Sequence, residues 1–406
     1  MMDDENNVVD AIDSIGETIF SKQWLIQRLI KLMKIVASEI SNNVENADED
    51  DVELCQDLGN HREIDEFIEQ DLCILWDMSS NVDVQECLIE HKAEKLLSMA
   101  VLQTQKPRLA EICIGILANL CHNEQISNSI LSEKEFCLNI LSLLSSSDVP
   151  FLLQLIRFIN TILHRNHRKF SEIIMETNEN LGTEKRLFQD LQFLFENCLN
   201  IDLLRALFHL VNDLLYLSPQ IAKSWRDNGG LFDWIKTFCD ACNLIIDDLE
   251  DDNDLDEEHL ESENHRYYHY FWFIVENLLD DCESIGVETE TMRNIFPYIK
   301  KLFLKSLAII HFETFNSLSS FSAACEVILK FKHQIDLRNE LLDTDQTLIK
   351  IYGRFLRSRE ILQEKQSIDT ATERSTQEIK INIEEFFNWW LEDRKEGKET
   401  SIIFPT

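Results

Sequence analysis

Apolar residues recur at helical spacing along almost the whole chain, and that pattern limits what the chain can fold into. Leu25, Leu29, Leu32, Met33 and Val36 form one stripe. Ile112, Ile116, Leu117 and Leu120 form another, and Leu152, Leu155, Ile156, Ile159, Ile162 and Leu163 a third. Leu204, Leu207, Phe208, Val211, Leu214 and Leu215 keep the same rhythm, as do Phe271, Ile274, Val275, Leu278 and Leu279. Residues at these intervals share one face of an α-helix, whereas a half-buried strand needs strict alternation. No stretch of comparable length alternates with β-branched residues, so an all-α chain is expected. Turn chemistry agrees: the 406 residues include 9 Gly and 5 Pro, about a third of ordinary usage. Hairpins and phosphate-cradling loops both draw on glycine, so sheets with tight turns and nucleotide loops are disfavoured. Pro107, Pro150 and the pair Ser218-Pro219 stand just ahead of apolar runs, where proline suits a first helical turn. Gly229-Gly230 has the character of a helix stop.

One apolar face per helix must be covered by a neighbour, which points to stacking. Four of the apolar helices carry an asparagine in a similar place: Asn119, Asn160, Asn212 and Asn277, about 41, 52 and 65 positions apart. The last interval contains an acidic insertion, and without it the spacing is near 47. Armadillo and HEAT repeats run ~40–47 residues. The predicted fold is therefore an all-α, armadillo/HEAT-like α-solenoid of about five to six irregular repeats, each covering its neighbour's apolar face. It is expected over residues 13–366, interrupted by an acidic linker at 46–57 and an acidic loop insertion at 247–264. Residues 1–12 form an acidic, disordered N-terminus and 367–378 a polar hinge. A short aromatic helix follows at 379–391, and then a mobile tail at 392–406.

Charge narrows the partners. The formal net charge is −36, from 74 acidic and 38 basic residues. Such a field repels nucleic acid and anionic membranes, and it favours protein partners with basic segments. The nearest approach to a basic stripe, Arg354-Phe355-Leu356-Arg357-Ser358-Arg359, suits a solvated helix face. The 11 cysteines stand singly within apolar runs, as reduced, buried thiols do. The start, Met1-Met2-Asp3-Asp4-Glu5, lacks the layout of a secretory signal. No apolar run approaches the ~18 residues of a transmembrane helix. A soluble monomer of cytosol or nucleus is expected.

Constellations that could carry chemistry are sparse. No glycine-rich phosphate loop, nucleophile elbow or H-E-x-x-H motif is present, so no catalytic residue is assigned. Asp252, Asp254, Asp256 and Glu263 fall on calcium-loop positions, but Glu257 stands where the turn glycine belongs. His265 and His269, like His164 and His167, lack a third ligand at defined spacing. The expectation is no metal, no cofactor and no enzymatic activity. Partner binding is better served. Trp76 beside Asp77 could anchor a partner, since tryptophan is enriched in binding hot spots; it could equally cap the core of the first repeat. Asn119, Asn160, Asn212 and Asn277 could hydrogen-bond the main chain of an extended peptide, because an amide both donates and accepts. Each could instead satisfy a buried backbone group.

Three stretches go beyond generic helix: Ile15-Gly16-Glu17-Thr18-Ile19-Phe20-Ser21-Lys22-Gln23-Trp24-Leu25, Leu72-Cys73-Ile74-Leu75-Trp76-Asp77-Met78-Ser79, and Pro107 to Leu120. In this order and spacing they resemble the serum-amyloid-A-like family, also called synoviocyte proliferation-associated proteins. The match is close from about Asp13 to Ile130 and fades towards the C-terminus. The resemblance implies an armadillo-like fold, a nuclear location, extending to the cytoplasm, and a role supporting cell proliferation; it brings no catalytic residues. The function expected is a non-enzymatic scaffold or adaptor for protein–protein interaction. The alternative is a carrier or chaperone-like receptor for basic protein segments.

Overall fold

A computed structural model of the chain describes residues 13–45, 64–175, 183–227, 231–251, 257–279, 289–309, 315–330, 348 and 381–388. The expected N-terminal region 1–12, linker 46–57, hinge 367–378 and tail 392–406 lie outside these, as do Gly229-Gly230, Arg354 to Arg359 and Asp252 to Asp256. The described residues form helices and contain no β-strand; Ser14 and Ser21 make a single isolated bridge. The chain divides into two compact units, Met1–Leu194 and Phe195–Thr406.

In the first unit the helices are α1 (Lys22–Glu45), α2 (Glu66–Met78), α3 (Val82–Glu90), α4 (Ala93–Gln103), α5 (Pro107–Leu120), α6 (Glu124–Ser132), α7 (Lys134–Ser142) and α8 (Val149–Met175), with α9 (Thr183–Asn197) beginning at its end. Their starts are chemically marked. Asp65, Asn81 and Asn123 each accept hydrogen bonds from backbone N–H groups of the first turn of α2, α3 and α6, satisfying donors that a helix end leaves open. Pro107 opens α5 at its first position. Helices α2, α5 and α8 pack side by side as one layer, while α1 packs on α4 and α4 on α7 as a second. Helix α4 lies on α5 and α7 on α8, joining the layers. Every helix thus rests on near neighbours in sequence, the stacking of an α-solenoid. The stripe on α1 is buried at Leu25, Leu29, Leu32 and Val36 but not at Met33, which is exposed. Every residue of α5 from Leu109 to Leu120 is buried, as a helix covered on two sides requires.

The second unit contains α10 (Ile201–Leu217), α11 (Pro219–Asp227), α12 (Leu231–Asp251), α13 (Glu257–Leu279), α14 (Thr289–Ile309) and α15 (Phe315–Lys330). Helices α10, α13 and α15 form one layer, and α12 and α14 the other. Its core is aromatic: Trp225 and Trp234 meet edge to face, and Phe238 joins Phe195 and Phe208. Residues 381–388 are helical, and Phe386 and Phe387 contact the rings of Phe303 and Phe321. The expected C-terminal helix therefore contributes to this core. Of the acidic stretch 247–264, residues 247–251 lie in α12 and residues 257–264 in α13, and residues 252–256 lie outside the described residues. Leu249 is buried there, and Asp248 and Asp247 pair with Arg205 and Lys305 at 3.0 Å each, so the end of α12 is anchored to α10 and α14.

Candidate functional site

The turn that follows each helix of the α2–α5–α8 layer repeats. Ile74-Leu75-Trp76-Asp77-Met78-Ser79-Ser80-Asn81 corresponds position by position to Ile116-Leu117-Ala118-Asn119-Leu120-Cys121-His122-Asn123. Asn81 and Asn123 cap the next helix. Asn166 does the same inside α8, where its backbone leaves helical geometry (φ −151°, ψ 66°) and its Oδ1 accepts from Lys169 N at 3.2 Å. These three turn asparagines are 42 and 43 residues apart, the true period of the first unit.

In this register Asn119 is the counterpart of Asp77, and its role is visible. Asn119 is buried, and its Nδ2 donates to Ser79 Oγ at 2.8 Å, Ser80 Oγ at 3.3 Å and Trp76 O at 3.4 Å in the preceding repeat. Its Oδ1 accepts from Arg157 Nη1 of the following repeat at 2.8 Å. Gln85 Nε2 closes the network, donating to Ser79 O and to Asn119 O. The amide links three successive repeats from within. Asn160 is half-buried on α8. Asn212, half-buried on α10, donates to Asp213 Oδ1 at 3.3 Å. Asn277 donates to Phe273 O of its own helix at 2.8 Å.

Trp76 and Asp77 end α2 differently. Asp77 is exposed, whereas Trp76 is half-buried with its indole laid against Gly115 of α5. A Cβ at position 115 would overlap that ring, so glycine in mid-helix here is a seat for the indole. On the other side of α5, Arg157 Nη2 donates to Gly115 O at 2.9 Å. A tryptophan and an arginine therefore meet one glycine from the two flanking helices, leaving an aromatic surface beside a fixed guanidinium. Towards the start of the same helices, Arg108 bridges α5 to α2 through Glu69 at 2.7 Å and pairs within α5 with Glu111 at 2.8 Å. Trp24 is half-buried, with Arg28 stacked 4.8 Å above its ring.

Gly115, Arg157, Ser79 and Gln85 were not singled out from sequence. A lone glycine inside an apolar helix, and one cation within the α8 stripe, are the signals that could have found them.

The matching layer of the second unit is more aromatic. His209 Nδ1 lies 3.1 Å from Asp213 Oδ2 and meets the edge of Tyr270, while exposed Tyr216 stands beside Phe273. The hydrogen bond with Asp213 raises the His209 pKa, against burial and Arg266. His269 is held low by burial. Among the described residues no cluster of His, Cys, Asp or Glu could hold a metal ion, and no helix is long and apolar enough to cross a membrane.

No family model matches the chain. Against proteins of known name, it is 31% identical over 217 residues to "Protein SAAL1" of Homo sapiens, covering 53% of this chain and 43% of that one. It is similar to protein SAAL1. The Danio rerio protein of that name is 29% identical over 223 residues, covering 55% of this chain and 44% of its own. The resemblance drawn from the three motifs is therefore met by named relatives over about half of the chain. The chain spans less than half the length of the curated relatives it matches. Among solved structures, a designed armadillo repeat protein aligns with a TM-score of 0.32 at 13% identity, over 59% of this chain and 95% of that one.

Proposed function

We propose that the chain is a non-enzymatic protein-binding scaffold or adaptor, acting in the nucleus in support of cell proliferation, and that the α2–α5–α8 face receives the partner. The observation that carries the binding surface is Trp76, an aromatic ring seated on Gly115 yet still half open to solvent. Large aromatic groups at such positions supply most of the energy of protein interfaces. The nuclear and proliferative parts rest on the family resemblance. Burial raises the thiols of Cys73, Cys87, Cys113, Cys121 and Cys137 in this unit, which keeps these five in the unreactive form. A second reading, a carrier of basic protein segments, is favoured by the net charge of −36.

Affinity purification from cells tests the face, comparing wild type with Trp76→Ala and with Asp77→Lys, each checked for helicity by circular dichroism. A folded Trp76→Ala chain is expected to lose a defined set of partners. An unchanged set with both variants would remove the α2–α5–α8 face from consideration.

A further inference from the structure

Helix α8 carries charge of the opposite sign to the chain as a whole. His164, Arg165, His167, Arg168 and Lys169 surround the kink at Asn166; Arg157 lies two turns earlier, and His122 follows the end of α5 beside them. Several other cations of the first unit have carboxylates: Arg28 and Lys31 share Asp71, Lys106 meets Glu39, and Arg108 bridges Glu69 and Glu111. On α8 they do not. Arg157 donates to Gln154 Oε1, Asn119 Oδ1 and Gly115 O, all neutral, and Lys169 to Ser132 Oγ and Asn128 O. Among the described residues no carboxylate lies within ion-pair distance of Arg157, Arg165, Arg168 or Lys169, although Glu124 and Glu172 are close in sequence. Arg165 and Arg168 are exposed, and no side-chain hydrogen bond joins either to another described residue.

Trp76 and Arg157 both meet Gly115, and Arg157 and Arg165 both lie near His122. Arg157 has five N–H donors and uses three within the fold. Two remain on a guanidinium that is already immobilised, so little entropy is lost when it takes a ligand. Trp76 flanks the same Gly115 and supplies an apolar platform. Burial and the charges of Arg165 and Arg157 hold His122 below the ordinary histidine range, the response of a ring that sees uncompensated positive charge.

We propose that this face binds an acidic protein segment, whose carboxylates meet Arg157, Arg165 and Arg168 while an apolar side chain rests on Trp76. The inference rests on the reading that α2–α5–α8 is the interface, and it opposes basic cargo at this place. Nucleic acid fits less well, because a long polyanion would also feel the −36 field of the rest of the chain. A short acidic segment is screened from that field beyond about 8 Å in physiological salt.

The test is fluorescence anisotropy on the full chain. The probe is a short fluorescein-labelled peptide of alternating glutamate and serine with one central leucine; its counterpart has lysine in place of glutamate. The glutamate peptide is expected to bind, to weaken as salt rises, and to lose at least about tenfold in affinity to Arg165→Glu/Arg168→Glu. Both positions are exposed and unpartnered, so helicity should be unchanged in that variant. Tighter binding of the lysine peptide, or indifference of the glutamate peptide to the double reversal, would overturn the proposal. The same two variants separate it from the broader reading in cells. If Trp76→Ala loses partners and the charge reversal keeps them, the interface stands and the acidic ligand falls. If neither variant loses any, both fall.

Discussion

Asn119 and Gly115 show two ways in which one residue joins repeats that propensity alone would leave separate. An asparagine inside a helix usually competes with the backbone for hydrogen bonds, but here its amide is the shared partner of α2, α5 and α8. Gly115 also weakens its helix, by about 1 kcal/mol relative to alanine in an open site. This site is closed by the Trp76 indole, which a methyl group would displace. Gly115→Ala should therefore destabilise the chain by about 1–3 kcal/mol through overpacking, despite its better helix propensity. In the Trp76→Ala background the ring is gone and the same change should be neutral or stabilising. Urea unfolding of the four chains in this cycle measures the coupling, and additive effects would mean that the indole does not sit on position 115.

At the scale of the element, α10 of the second unit carries a titrating pair. His209 bonds Asp213 one turn on, and that bond raises the histidine pKa above its unfolded value, with burial and Arg266 opposing. A raised folded pKa means that the protonated pair stabilises the fold below the unfolded histidine pKa of about 6.5, and that this contribution disappears as pH rises through the folded pKa. Half the ring is exposed, so screening keeps the effect below about 1 kcal/mol. His209→Gln should lower the melting temperature in mildly acidic buffer and leave it nearly unchanged in alkaline buffer; calorimetry across that range would show it. A larger loss on the alkaline side would contradict the assignment. Elements of this kind differ in how legible they were. The apolar stripes on α5, α8, α10 and α13 were plain from spacing, because burial on one helical face selects for it. The repeat was seen, but its marker was misplaced: Asn119 and Asn160 do not share a register, whereas the capping residues Asn81, Asn123 and Asn166 do. Capping depends on three residues of local backbone, which no apolar pattern reports. The helical end of α12 at Asp247 and Asp248 was not legible, because its ion pairs, Asp248 with Arg205 and Asp247 with Lys305, come from residues more than forty positions away. The Trp76–Gly115–Arg157 arrangement was hidden for the same reason, since its three residues come from three helices.

At the scale of the two units, the described cysteines connect packing to the proposed binding role. Cys73, Cys87, Cys113, Cys121 and Cys137 belong to the first unit, and Cys198, Cys239, Cys242 and Cys325 to the second; all nine are free. Burial raises every one of these thiols, Cys137 to about 11 and several further. At Cys73 the guanidinium of Arg108 donates to the sulfur at 3.3 Å and pulls the other way, yet desolvation outweighs it. A thiolate is the reactive form, so a catalytic cysteine needs the opposite shift, towards or below neutrality. Two quantities then set the order of labelling by a thiol reagent: access first, thiolate fraction second. Cys73 and Cys198 are only half-buried and should label slowly in the native chain, faster as pH rises towards their raised values. Cys113, Cys121, Cys242 and Cys325 are enclosed within their units and should label only as denaturant opens them. Mass spectrometry of chains labelled at increasing urea would place each cysteine in this series. A described cysteine that labels rapidly in slightly acidic, native buffer would be a lowered, accessible nucleophile, and it would count against the proposed scaffold role.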